Sequence, residues 1–269
     1  MRINGRIEFA GLGLHSGREC RLVIEPYDSP EVVMRSGDNE LPLSGFTLTG
    51  TNRGSDYAFA DGSCVRTCEH VFSALAGLGI WSGARITVDG GEMPALDGCA
   101  KLLCEEIAQH AEDDITTSSA LSVKQPVIVH SEDRKRFVAA FPCSCLHITY
   151  SVEYKFIGAQ IYDYVHSPAN YRENISGART FAMASDIEYL RSHGMALGGS
   201  LDNAILVGEE IRALGGLRWP DEFVRHKVLD IIGDFASLGR PLNAHIIAVR
   251  AGHELHLKLA EKLREENSI

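Results

Sequence analysis

Residues 219–239, WPDEFVRHKVLDIIGDFASLG, decide how the rest of the chain is read. The stretch predicts a helix with both ends marked: Pro220 and two acids open it, and Gly239 and Pro241 close it. At about 100° per residue, Val224, Val228, Ile231 and Phe235 share one face, as a core stripe does. His226, Asp230 and Asp234 follow at i, i+4 and i+8, with Lys227 beside them, on an arc next to that stripe. An i, i+4 His/Asp pair can offer an imidazole nitrogen and a carboxylate oxygen to one metal ion. A solvated polar stripe has the same spacing, because a polar face is the norm on a helix. The helix alone leaves both readings open.

Working outward, 269 residues suffice for one large domain or two modest ones with real cores. Hydrophobic content of 45% and charged content of 23% place the chain among globular proteins. The opening MRINGRIEFAGLG lacks a charged-then-apolar leader pattern, and no apolar run approaches the roughly 18 residues of a membrane span. A soluble cytoplasmic protein without a membrane span, acting as a monomer, is expected. The seven cysteines form no CxxC pair, so free thiols are expected rather than a disulfide framework. A net charge of −10 with no basic run argues against nucleic acid as a partner. It leaves room for a small anionic substrate met by a few local cations.

Residues 1–60 alternate short β-type runs with turn signals. GLGLHSG (11–17) departs from GxGxxG spacing and has no βαβ surroundings, so a turn between strands is the better reading than a phosphate loop. CVRTCEHVFSALAGLGI (64–80) predicts a short helix with Thr67 at its N-cap and Gly77 or Gly79 at its end. Glu69 and His70 then fall in its first turn, where backbone N–H groups favour an anion. ARITVDG reads as a strand, and ALDGCAKLLCEEIAQHA as a helix with Leu103 and Ile107 facing inward.

Residues 111–122 lose apolar periodicity and gain acids, Ser and Thr, which marks a domain boundary. The expected division is 1–115 and 116–269. The second half repeats the pattern of strands first and helices after, including a helix with a capping box from Ser185 to Glu188. Two α+β domains follow from this order, with no repeat detectable in the sequence itself.

A catalytic zinc typically has three protein ligands and an open position. His226 and Asp230 supply two. His70 stands out for the third because its neighbour Glu69 is the carboxylate type that serves as a general base. His253, in a Gly-flanked turn after a strand, is the next candidate for chemistry.

RTCEHVFSALAGLGI, EMPALDG, ARTF, DIEYL, LGGS, DEFVRHKVLDIIGD and AGH occur in this order along the chain. In that series the chain resembles the UDP-3-O-acyl-N-acetylglucosamine deacetylases, zinc amidases of lipid A biosynthesis, from GLGLHSG to AGH. The resemblance implies one Zn²⁺ held by His70, His226 and Asp230, with Glu69 as general base. His253, held by Asp234, would be the second acid/base group, and Thr180 and Lys227 would stabilise the oxyanion. It implies two similar α+β domains with the site between them, and an insert at 185–207 that forms an apolar passage for the acyl chain. The substrate would be a small molecule, an acylated UDP-sugar.

Where the family often has Gly-Phe after ARTF, this chain has Ala182-Met183. Phe181 and Met183 are therefore expected against the acyl chain. Tyr154 and Arg250 are expected against the uridine diphosphate, as a stacking ring and a phosphate-facing cation. Two rival readings stand beside the deacetylase: a zinc amidohydrolase of another acetamide, and a non-catalytic binder of acylated nucleotide sugars.

Overall fold

The computed structural model describes residues 1–50, 53–112 and 119–266. Its first half contributes strands β1 (Ile7–Leu12), β2 (Glu19–Pro26), β3 (Val33–Ser36) and β4 (Asn39–Pro42). Helix α1 (Glu69–Gly77), strand β5 (Ala84–Asp89) and helix α2 (Lys101–Gln109) follow. The sheet order is β1-β2-β5-β3-β4, so β5 inserts at the centre, antiparallel to β2 and parallel to β3.

The second half contributes β6 (Val127–His130), β7 (Phe137–Pro142), β8 (Leu146–Tyr154) and β9 (Gly158–Val165). Helices α3 (Pro168–Asn174), α4 (Ile187–Ser192) and α5 (Glu222–Ala236), strand β10 (Leu242–Val249) and helix α6 (His253–Glu266) complete it. The order β6-β7-β10-β8-β9 again puts the late strand at the centre, antiparallel to β7 and parallel to β8. The topology thus occurs twice, although no repeat is legible in the sequence. Strands first and helices after is corrected to hairpin, hairpin, helix, central strand, helix. A parallel neighbour needs a crossover connection, and a helix supplies it.

Burial alternates strictly along β10, so one face of its sheet packs inward and the other meets solvent. One continuous apolar cluster joins the halves, running from Leu22 and Ile86 through Phe72 and Val228 to Ile148 and Ile246. Helices α1 and α5 meet at its centre. Their backbones approach closely because Gly233 has no side chain: a Cβ there would overlap the Glu69 carbonyl oxygen. The Ser73 hydroxyl of α1 donates to the Leu229 carbonyl of α5 at 2.7 Å.

Several expected helix ends differ. Pro220 precedes α5, which starts at Glu222 with Asp221 as an N-cap whose side chain makes no capping bond and pairs with Arg225 instead. Cys68, not Thr67, is the N-cap of α1; Thr67 has φ +56° and its hydroxyl donates to Glu92 instead. The capping box is absent, since Asp186 caps α4 and the Ser185 hydroxyl bonds Asp186. His253 is not in a turn but opens α6. Of the expected boundary, residues 113–118 lie outside the described residues. Ala111–Glu112 pairs back onto Arg2–Ile3, and Leu121–Ser122 joins β10. Among the described residues no helix is long and apolar enough to cross a membrane.

Candidate metal centre and active site

Helix α5 is buried almost all round, between α1, α6, β8 and β9. His226, Asp230 and Asp234 are 2%, 1% and 0% exposed, which excludes the solvated polar stripe. A buried carboxylate needs a partner to stay charged. Asp230 Oδ2 has one, the Lys227 ammonium at 2.7 Å. Asp230 Oδ1 is buried with no hydrogen-bond partner among the described residues. His226 Nε2 lies 3.3 Å from that oxygen and His70 Nε2 3.8 Å from it.

The His226 Nδ1–H donates to the Ala178 carbonyl at 3.0 Å, which leaves a lone pair on Nε2 facing the orphaned oxygen. Burial pushes the imidazole pKa of His70 down and that of His226 to about 3, so both are neutral, as metal ligands must be. Burial alone would raise the Asp230 carboxyl, yet His226 and Lys227 hold it well below the usual range. The three ligand atoms lie within 4.8 Å of one another. Two neutral imidazoles, one carboxylate and an unsatisfied oxygen are the donor set that a dication would complete.

Glu69 sits at the start of α1, 3% exposed, and accepts the Ser55 N–H at 2.9 Å. Burial raises its pKa to about 7, against the lowering effect of His253, which suits a group that takes up a proton near neutrality. His253 Nδ1–H donates to Asp234 at 2.9 Å. Burial disfavours the imidazolium, but Asp234 outweighs it and pushes the His253 pKa up to about 9. Both groups beside the triad are thus shifted upward, and between about pH 7 and 9 Glu69 is a carboxylate while His253 is an imidazolium.

Two residues that hold this arrangement escaped the sequence reading. His256 Nδ1–H donates to Asp234 at 2.7 Å, and its Nε2 is 2.9 Å from the Tyr150 hydroxyl. The signal was present, because His253 and His256 stand at i, i+3 on one helix face. The Ser55 hydroxyl also donates to Asp234, while its N–H serves Glu69. No pattern in the sequence links Ser55 to α5.

The site opens onto a cavity of about 1100 Å³ lined from both halves, by Leu14 and Glu69 on one side and Thr180, Phe181, Lys227 and His253 on the other. His70 lines a small neighbouring cavity that shares Leu14 and Thr180 with it. Phe181–Met183 pairs in parallel with Ile205–Val207, and Met183, Ile187, Ala204 and Leu206 are among the apolar residues lining the cavity. Arg179 anchors the segment before Thr180, donating to buried Glu222 at 2.8 Å and to the Leu214 and Gly216 carbonyls.

Tyr154 and Arg250 both line the cavity. The Tyr154 ring packs edge-on to Phe181 with centroids 5.3 Å apart, and Arg250 pairs with Glu153 at 3.4 Å. Arg53, Arg136 and Arg191, which composition gave no reason to single out, line the cavity as well. GLGLHSG is the β1–β2 turn, and the N–H groups of His15 and Ser16 are taken by the Glu92 carboxylate at 2.7 and 2.9 Å. An anion therefore already occupies that nest, and it belongs to the protein.

Over residues 1–265 the sequence matches the family model described as UDP-3-O-acyl N-acetylglycosamine deacetylase. The chain belongs to this family. It is 36% identical to the UDP-3-O-acyl-N-acetylglucosamine deacetylase of Trichormus variabilis, over 96% of this chain and 95% of the relative. The namesake of Chlamydia felis is 33% identical over 97% and 95%, and that of Syntrophotalea carbinolica 32% over 97% and 86%. Membership agrees with the α+β architecture and with a His/Asp group able to hold a metal.

Proposed function

We propose that the chain hydrolyses the N-acetyl group of UDP-3-O-(hydroxyacyl)-N-acetylglucosamine, releasing acetate and the free amine, an early committed step of lipid A biosynthesis. One observation carries the reading. A buried His70/His226/Asp230 group, with Asp230 Oδ1 unpartnered among the described residues, faces Glu69 and His253 at the wall of a cavity that apolar residues also line. A structural metal site needs neither a raised carboxyl nor a raised histidine beside it. Zn²⁺ suits the donor set, and when bound it polarises the acetamide carbonyl and lowers the pKa of water at the site.

Glu69 takes the proton from the attacking water. Lys227, already cationic beside Asp230, and the Thr180 hydroxyl stabilise the oxygen that gains negative charge. His253, protonated at neutral pH and oriented by Asp234, gives its Nε2 proton to the departing nitrogen. Phe181, Met183 and the insert at 185–207 hold the acyl chain. Tyr154 and Arg250, joined by Arg53, Arg136 and Arg191, face the nucleotide diphosphate. The two topological halves, 1–115 and 116–269, are the two domains, and each supplies part of this wall.

Comparing acetate release from the acylated substrate and from UDP-N-acetylglucosamine tests the substrate class. The apolar lining predicts a loss of at least about 100-fold in kcat/KM without the acyl chain, because remote binding energy is used at the reacting centre. Equal rates on both would favour a different acetamide.

A further inference from the structure

A second constellation of the same ligand types lies on the opposite, solvent-facing side of the second sheet. His147 on β8 and His245 on β10 are registered cross-strand neighbours, and Asp163 on β9 reaches them diagonally past Thr149. Side chains alternate along each strand, so these residues point away from α5 while Ile148 and Tyr150 point toward it. The imidazole rings stack with centroids 3.9 Å apart and planes 6° apart. Asp163 Oδ1 is 2.8 Å from His147 Nε2, and the Thr149 hydroxyl lies between Asp163 and His245, at 2.6 and 2.9 Å.

We propose that His147, His245 and Asp163 form a second metal site, for a divalent transition cation such as Zn²⁺, distinct from the catalytic centre. Their ligand atoms lie within 4.8 Å of one another, the spread also met by the His70/His226/Asp230 group. Metal–ligand bonds of about 2.0–2.1 Å put tetrahedral ligands roughly 3.3 Å apart. His147 and Asp163 must open slightly and His245 must swing inward, both within the reach of half-exposed side chains. Thr149, donating to Asp163, fixes the carboxylate as an outer partner does.

Among the described residues His147 is the one ion-pair partner of Asp163, so no lysine or arginine competes for the carboxylate. A dication bound there would join three adjacent strands, including β10, whose end leads into His253.

Metal stoichiometry tests the site. Apo-protein is titrated with Zn²⁺ by calorimetry in the unaltered chain and in His245→Ala, Asp163→Asn and His226→Ala, with the thermal midpoint of each apo form as the check of folding. The unaltered chain should bind one equivalent more than either His245→Ala or Asp163→Asn, and should gain in thermal midpoint as the last equivalent binds. His226→Ala should keep the outer equivalent and lose the central one. Equal stoichiometry in the unaltered chain and a folded His245→Ala would overturn the outer site. Equal stoichiometry in His226→Ala would instead count against the catalytic centre alone.

Discussion

Glu69 and His253 face one cavity with upward-shifted pKa values about two units apart, and as proposed base and acid they set the pH range of the proposed reaction. The base must be unprotonated, so activity rises as pH passes the Glu69 pKa of about 7. The acid must be protonated, so activity falls as pH passes the His253 pKa of about 9. A bound dication favours the deprotonated form of both groups and moves each limb to lower pH. The kcat/KM profile should therefore be bell-shaped, with Glu69→Gln flattening the acid limb and His253→Gln the alkaline limb of the residual rate. An alkaline limb that persists in His253→Gln would assign it elsewhere. Ser55→Ala removes a hydroxyl bonded to Asp234 and should cost about tenfold in kcat, the value of one charge-assisted hydrogen bond. Its effect is read in the same profile, as a shift of the alkaline limb to higher pH, because an Asp234 that has lost a donor holds the His253 proton more tightly. Metal content should separate the roles further: His226→Ala loses the catalytic ion with the activity, whereas His253→Ala loses activity and keeps the ion.

At the scale of elements, the contact between α1 and α5 brings Glu69 and His70 to His226 and Asp230. Gly233→Ala would drive a methyl group into the Glu69 carbonyl. It should cost about 1–3 kcal/mol by denaturant titration, as overpacking does, and should lower kcat because Glu69 moves with α1. Gly77→Ala collides with the Tyr171 ring at the other end of α1 and should destabilise similarly with a much smaller loss of kcat. Equal losses of kcat would detach the effect from Glu69. Helix α5 was legible in outline because its core stripe and its His/Asp spacing obey one period. Its ends were not, since Pro220 and Asp221 serve the preceding turn and α1 takes the burial that a surface helix would leave to solvent. The capping box at Ser185 failed for a local reason: the hydroxyl found Asp186 next to it before reaching the helix N-terminus.

Across the whole molecule, two copies of one topology press their helices together and leave a cavity at the seam. Apolar residues within 185–207 line part of the cavity, so on the proposed reading filling that part should act on chain length rather than on chemistry. Ala204→Trp should lower kcat/KM at least about tenfold for a long-acyl substrate, and far less for a short-acyl one. The two-domain plan was readable from the order of strands and helices, and the triad from spacing plus resemblance. The topological repeat was hidden because a sheet order depends on tertiary pairing, which alternating residues do not encode. Ser55 was hidden for a related reason, lying 179 positions from Asp234 with no periodic link to it.

The proposed reaction is a metal-assisted, Glu69-driven hydrolysis at this wall. It is tested by acetate release from UDP-3-O-(hydroxyacyl)-N-acetylglucosamine, with one equivalent of zinc and Glu69→Ala alongside. Release by the unaltered chain is expected, with a fall of about 10²–10⁴-fold in a Glu69→Ala protein that still holds its zinc. Undiminished release by Glu69→Ala, or none from a zinc-loaded unaltered chain, would contradict it.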